Sequence, residues 1–211
     1  MAMPEGMDRA TPFTTMEELH CLKTSWGISF VGRYYSQSAW KSLTRQEAEL
    51  ISSAGLYIVT VYQDANNTPA YFSAERGDED CQRATRLAAA VGQPFGTPIY
   101  FAVDMEAAAG SDAMNRVLDY FRGVLRTMQQ QTQAGGGHAW KLGVYGSHDT
   151  VAAVTAQVPG ITHRWQTYAW SRGKVLPACE LYQYENDVKQ PCSGDPVDKV
   201  RSSGDGGGFR V

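Results

Sequence analysis

Short apolar runs that end in polar residues recur along this chain, and each is set off by a helix-forming segment or a turn. Strands are predicted at residues 6–8, 30–35, 56–62, 98–103, 141–145, 164–167, 181–184 and 196–200. Helices are predicted over 14–23, 44–54, 78–91, 112–132 and 149–157. The first two carry a Thr followed three residues later by Glu (Thr14 and Glu17, Thr44 and Glu47), which is capping-box spacing. Gly55 and Gly92 supply helix stops. Strand–helix alternation of this kind implies an α/β fold built on a parallel sheet. Two architectures fit: a (β/α)8 TIM-barrel-like fold or a doubly wound open sheet. The first strand–helix turn has no GxGxxG, which disfavours a dinucleotide-binding sheet. In a barrel, 211 residues leave about 26 per unit, near the lower limit, so the late helices must be shortened or missing. No linker or internal repeat interrupts the chain, which reads as a single domain with a Gly-rich, mobile tail at 202–211.

Composition removes several functions. Hydrophobic residues make up 43% and charged residues 19%, enough for a sizeable core, and the net charge is −3 with no basic stretch. Nucleic acid is therefore not an expected partner. No apolar run reaches the roughly 20 residues of a membrane helix, so no membrane span is expected. Residues 1–8 lack a signal-peptide pattern, which leaves the export route open. The histidines (His20, His138, His148, His163) share no metal-site spacing. No cofactor and no metal are expected. Of the four cysteines, none forms a CxxC pair. Either Cys179 and Cys192 close a short loop, or all four are free thiols, with Cys21 and Cys81 on helix faces.

In a parallel barrel, chemistry sits at the carboxyl ends of the strands. Those ends offer Asp8, then Arg33 with Tyr34 and Tyr35, then Tyr62 and Gln63, then Asp104 and Glu106. Tyr145, Trp165, Gln166, Gln183 and Asp198 follow. Residues i and i+2 of a strand share a face, so Asp104 and Glu106 are predicted to enter one cleft. Two close carboxylates repel and one keeps its proton, the division that glycosidic cleavage requires. The plainer alternative is a solvated strand-end DxE. Arg33 either clamps a substrate anion or neutralises the carboxylates of the lumen. Exposed faces of Trp and Tyr suit sugars, although most aromatics in a domain serve packing.

The runs FVGRYY, KSLTRQEAELISSAGLYIVTVYQ, GTPIYFAVDME, KLGVYGS and RWQTYAWS together resemble one family. It is the glycoside-hydrolase-like family catalogued as domain of unknown function 1906. That family is similar to the family 25 glycoside hydrolases, peptidoglycan muramidases with a (β/α)8-like barrel. The resemblance spans about residues 6–200 and is most specific over 32–106. It implies a peptidoglycan-degrading, lysozyme-like glycoside hydrolase, with peptidoglycan glycan strands as its partner. Action in the cell envelope or outside the cell follows, including lytic or antibacterial use; an effector of that kind would come with delivery and immunity proteins. The catalytic positions carried over are Glu106 as general acid, Asp104 as stabiliser of the developing positive charge, and Asp8. Asp198 would help to hold the sugar, with Tyr62, Tyr145 and Trp165 as walls and Gln183 as floor. Arg33, Gln63 and Gln166 complete the expected substrate contacts. The alternative is a barrel that binds peptidoglycan without turnover. A metal-dependent phosphodiesterase is disfavoured by the lack of histidine at the strand ends.

Overall fold

The computed structural model describes residues 4–204 and 206–211. In chain order the elements are β1 (Glu5–Asp8), α1 (Met16–Ser25), β2 (Ile28–Tyr35), α2 (Arg45–Ser53), β3 (Tyr57–Tyr62) and α3 (Ala74–Val91). They continue with β4 (Pro98–Ala102), α4 (Asp112–Ala134), β5 (Lys141–Gly146), α5 (His148–Gln157), β6 (Ile161–Thr167), β7 (Leu181–Lys189) and β8 (Pro196–Ser202). The eight strands form one closed barrel in sequence order. Neighbours from β1 to β7 pair in parallel. No helix separates β6 from β7 or β7 from β8, as the short spacing there predicts. With only six residues between β7 and β8, a parallel return is out of reach. Accordingly β8 runs antiparallel to β7 and to β1.

Local capping explains the helix starts. Thr44 accepts a hydrogen bond from the Glu47 amide, as its spacing predicts. The same spacing operates one residue later than expected at α1, where Thr15 rather than Thr14 caps the Glu18 amide. Helix α3 begins at Ala74, a turn earlier than the 78–91 expectation, because Ser73 is the cap.

Two apolar clusters hold the fold. The larger lies between the sheet and the helices and includes Leu19, Ile51, Ala84 and Phe121. The smaller fills the barrel lumen with Phe30, Val59, Val61, Tyr100, Trp165, Leu181 and Val200. Gly32 permits the lumen to close: a Cβ there would lie 2.6 Å from the Asp8 side chain and 2.8 Å from the Trp165 ring.

Two expectations are corrected. The disulfide joins Cys21 of α1 to Cys192 in the β7–β8 connection, 171 positions apart. Cys179 is a free buried thiol whose Sγ donates to the Leu181 carbonyl, and Cys81 is free and buried in α3. Spacing along the chain could not reveal a contact created by barrel closure. The Gly-rich tail also docks instead of waving free. Phe209 is buried and pairs with Ile58 through both backbone bonds, and the Gly206 carbonyl accepts from Tyr100. Residue 205 lies outside the described residues.

Candidate active site

At the carboxyl end of the parallel strands, a cavity of about 250 Å³ opens above the apolar plug of the lumen. Asp8, Asp104 and Asp198 line it with Tyr34, Gln63, Tyr145, Trp165 and Asn186, and Val61 and Ala102 are also in its wall. Asp198 reaches this rim because β8 runs backwards: the residue near its start stands level with Asp8 in the β1–β8 ladder.

Hydrogen bonds tie the site together. The Gln183 amide donates to Asp8 at 3.2 Å and to Asp198 at 2.6 Å, while its carbonyl accepts from the Tyr145 hydroxyl at 2.7 Å. Tyr34 donates to the other Asp8 oxygen at 2.8 Å. The Asp187 amide donates to Asp198 at 3.0 Å. On the facing side, Gln63 donates to Asp104 at 3.0 Å. Lys41 stands over the Tyr34 ring at 5.1 Å.

All three carboxyls are pushed above the usual aspartate range, each chiefly by burial. The Asp198 charge raises Asp8 further, against the bonds from Tyr34 and Gln183. Asp104 is drawn back in part by Gln63 and Lys41. Asp198 is drawn back by the Asp187 amide. Burial lowers Lys41, although Asp64 and Asp104 oppose that shift. Trp165 Nε1 and Asn186 Oδ1 are buried without a partner among the described residues.

Six sequence-predicted positions are thus gathered at the cavity wall: Asp8, Gln63, Asp104, Tyr145, Trp165 and Asp198. Gln183, also predicted, underpins the group. Glu106 is not brought to the wall. The strand ends at Ala102, and the Asp104 amide turns to the Asn66 carbonyl of the preceding loop. Strand alternation therefore stops before Glu106. Met105 packs into the outer core, and Glu106 is half exposed and paired with Arg172 of the β6–β7 loop.

Arg33, Tyr62 and Gln166 also point away, because each lies one position off the lumen-facing set of its strand. Arg33 is fully buried on the helix side, bonded to Glu47 at 2.7 Å and to the carbonyls of Arg9, Ala10 and Lys41. It neither clamps an anion nor neutralises the lumen. Tyr62 donates to Asp64 and Asp80 beneath α3. Gln166 instead organises the next loop, through Ser171, Lys174 and the Leu176 amide. Tyr34, named at its strand end but not among the expected substrate contacts, lines the cavity, as does Asn186, which had no sequence signal because register shifts interrupt the β7–β8 ladder beside it.

Among the described residues, no group of three or more His, Cys, Asp or Glu side chains is placed to hold a metal ion. None of the described helices is long and apolar enough to cross a membrane.

A closed eight-stranded barrel with carboxylates and amides converging on its carboxyl rim defines a glycoside hydrolase-like domain. More particularly, the chain belongs to the family described as "Rv2525c-like, glycoside hydrolase-like domain", which it matches over residues 20–202. It is similar to the Mycobacterium tuberculosis Tat-secreted protein Rv2525c, crystallised with L-tartrate, at 25% identity and a TM-score of 0.77, covering 98% of this chain and 99% of that one. It is 30% identical over 145 residues to the uncharacterized protein FadG of Bacillus subtilis (strain 168), covering 67% of this chain and 24% of that protein. The chain thus spans about a quarter of that curated relative. Its fold is similar to the catalytic domain of endolysin ply40, from bacteriophage P40 of Listeria monocytogenes. That match has a TM-score of 0.60 at 14% identity, covering 97% of this chain and 95% of the other.

Proposed function

We propose that this domain is a peptidoglycan-degrading glycoside hydrolase of the lysozyme or muramidase type. The observation that carries the reading is the convergence of three carboxyls, each raised by burial, on one cavity at the barrel's carboxyl rim. Glycosidic cleavage needs one carboxyl that holds a proton and another that stays anionic. Asp104 is the proton donor in this reading: it is partly exposed, stands apart from the Gln183-linked Asp8 and Asp198, and has one oxygen fixed by Gln63. Asp8 and Asp198, joined through Gln183, titrate as a coupled pair and supply negative charge beneath an oxocarbenium-like sugar. Tyr34 and Gln183 orient that pair.

The rim suits a polymer. Trp40, after β2, and Trp170, after β6, are exposed rings on loops that follow the carboxyl ends of their strands, flat faces of the kind on which sugars stack. The Cys21–Cys192 bridge favours an oxidising compartment. The secretion stated for Rv2525c agrees with action in the envelope or outside the cell.

A second reading, a peptidoglycan-binding barrel without turnover, is favoured by one observation: Glu106 is held by Arg172 instead of lining the cavity. Mass spectrometry of muropeptides and an assay of new reducing ends, on purified peptidoglycan, separate the two. The expected result is release by the wild type, a loss of roughly 100-fold or more in Asp104→Asn, and retained activity in Glu106→Gln. Loss in Glu106→Gln with activity kept in Asp104→Asn transfers the proton-donor role to Glu106. Retention on insoluble peptidoglycan without release by the wild type selects the binding barrel.

A further inference from the structure

The loop after β2 doubles back and places a cation beside the acidic cavity. The Leu43 amide returns to the Tyr34 carbonyl, and a bridge pairs Tyr34 with Ser42. Lys41 is pinned on both sides of this turn. Its amide donates to the Ser38 carbonyl at 3.2 Å, and its carbonyl accepts from the buried Arg33 guanidinium at 3.2 Å. The ammonium stands 5.1 Å from the centre of the Tyr34 ring, and Tyr34 is part of the cavity wall. Burial disfavours that charge, while Asp64 and Asp104 favour it. Neither carboxylate is its ion-pair partner. The Asp64 oxygens are filled by Ser36, Tyr62 and the backbone and side-chain amides of Gln37. Asp104 takes its hydrogen bond from Gln63. Charges withdrawn from water are normally paired. The half-buried Lys41 ammonium, with three donors to offer, has no acceptor among the described residues. Trp40, next to it in the chain and 64% exposed, adds an apolar ring face on the same loop.

We propose that Lys41 is a specificity-determining residue that selects glycan sugars carrying a free carboxylate. This rests on the reading of the cavity as a glycan site and names what that site accepts. In peptidoglycan the group is the lactyl ether of a muramic acid residue. It is a free carboxylate only where the stem peptide has been removed, and a neutral amide where the peptide is attached. A uronic acid offers the same charge from another polymer. Bonds from an ammonium to a carboxylate are charge-assisted on both sides, unlike those to an amide. The three cavity carboxyls offer an anionic substituent no attraction, so the cation decides whether it is accepted. Asp104 then addresses the bond to be cut, and Lys41 the substituent beside it.

The test compares three oligosaccharides on the full chain. One alternates N-acetylglucosamine with N-acetylmuramic acid and has free lactyl carboxylates; the second is its methylamide; the third is an oligouronate of equal length. The kcat/KM is measured where a probe is cut, and Kd by calorimetry where it is not. The wild type is expected to prefer the free acid to the methylamide by roughly tenfold or more. Lys41→Gln should abolish that preference by weakening the acid alone, and Lys41→Arg should restore most of it. Thermal melts check that both variants fold. An oligouronate favoured over the lactyl acid assigns the carboxylate to a uronic polymer; the reverse assigns it to peptide-stripped peptidoglycan. Equal treatment of acid and methylamide by the wild type, or a preference that survives in folded Lys41→Gln, overturns the proposal and leaves the glycosidase reading standing. Parallel loss of acid and methylamide in Lys41→Gln also overturns it, since a packing role does that. A wild type that neither binds nor cuts any of the three overturns the glycan reading together with this proposal.

Discussion

Asp8 and Asp198 face each other directly across the β1–β8 ladder, and one amide, that of Gln183, donates to both carboxyls. Like charges in opposed strand positions repel, and burial removes the water that would screen them. The fold tolerates the pair because Tyr34, Gln183 and the Asp187 amide donate to its oxygens.

Removing one charge should therefore release the other. In Asp198→Asn, the Asp8 carboxyl is expected to titrate lower than in the wild type, since the Asp198 charge is one cause of its elevation. Carboxyl-carbon NMR titration reads this directly. An unmoved or higher Asp8 value contradicts the coupling.

Asp80 provides a pH signature away from the site. It is fully buried on the inner face of α3, accepting from Tyr62, Tyr71 and Tyr120, and burial pushes it from 3.8 up to about 6. The native state then holds a proton that the unfolded chain has released. This contribution to stability is full below the unfolded value and is lost as pH rises toward 6. Relative to Asp80→Asn, the wild type should lose about 2 kcal/mol between pH 4 and 6. Urea melts across that range measure it, and parallel curves for the two proteins would exclude the effect.

Arg33 and Arg172 predict opposite sensitivities. Arg33 and Glu47 form a buried pair that also clips the loops after β1 and β2. Arg33→Met should cost roughly 3–5 kcal/mol, because Glu47 is left buried without its cation. Arg172→Ala breaks a pair between half-exposed or exposed groups and should stay within about 1 kcal/mol. Equal losses in denaturant titrations would refute this assignment.

The Cys21–Cys192 bridge closes the first helix onto the last hairpin, where Arg9 also reaches Glu18 and Asp195. A loop of that length is worth up to about 5 kcal/mol through restriction of the unfolded chain. Dithiothreitol should lower Tm markedly in the wild type and leave Cys21→Ser/Cys192→Ser unchanged. Substituting Cys81, which is free, should not abolish the dithiothreitol effect.

The local code was enough for the strand–helix order, the Thr44 cap and the polar strand ends, since caps and apolar periods act within a few residues. It also carried the family likeness in runs such as GTPIYFAVDME, now matched over residues 20–202. It could not say which face of a strand looks inward. A slip of one position sends Arg33, Tyr62 and Gln166 outward and Tyr34 inward. Nor could it see where strand alternation stops, which parts Glu106 from Asp104. Those outcomes, with the Cys21–Cys192 closure, the docking of Phe209 and the Asp8–Asp198 pairing, belong to the closed barrel. Ring closure sets registers and contacts between residues more than a hundred positions apart, and these depend on packing the whole lumen rather than on neighbours in the chain.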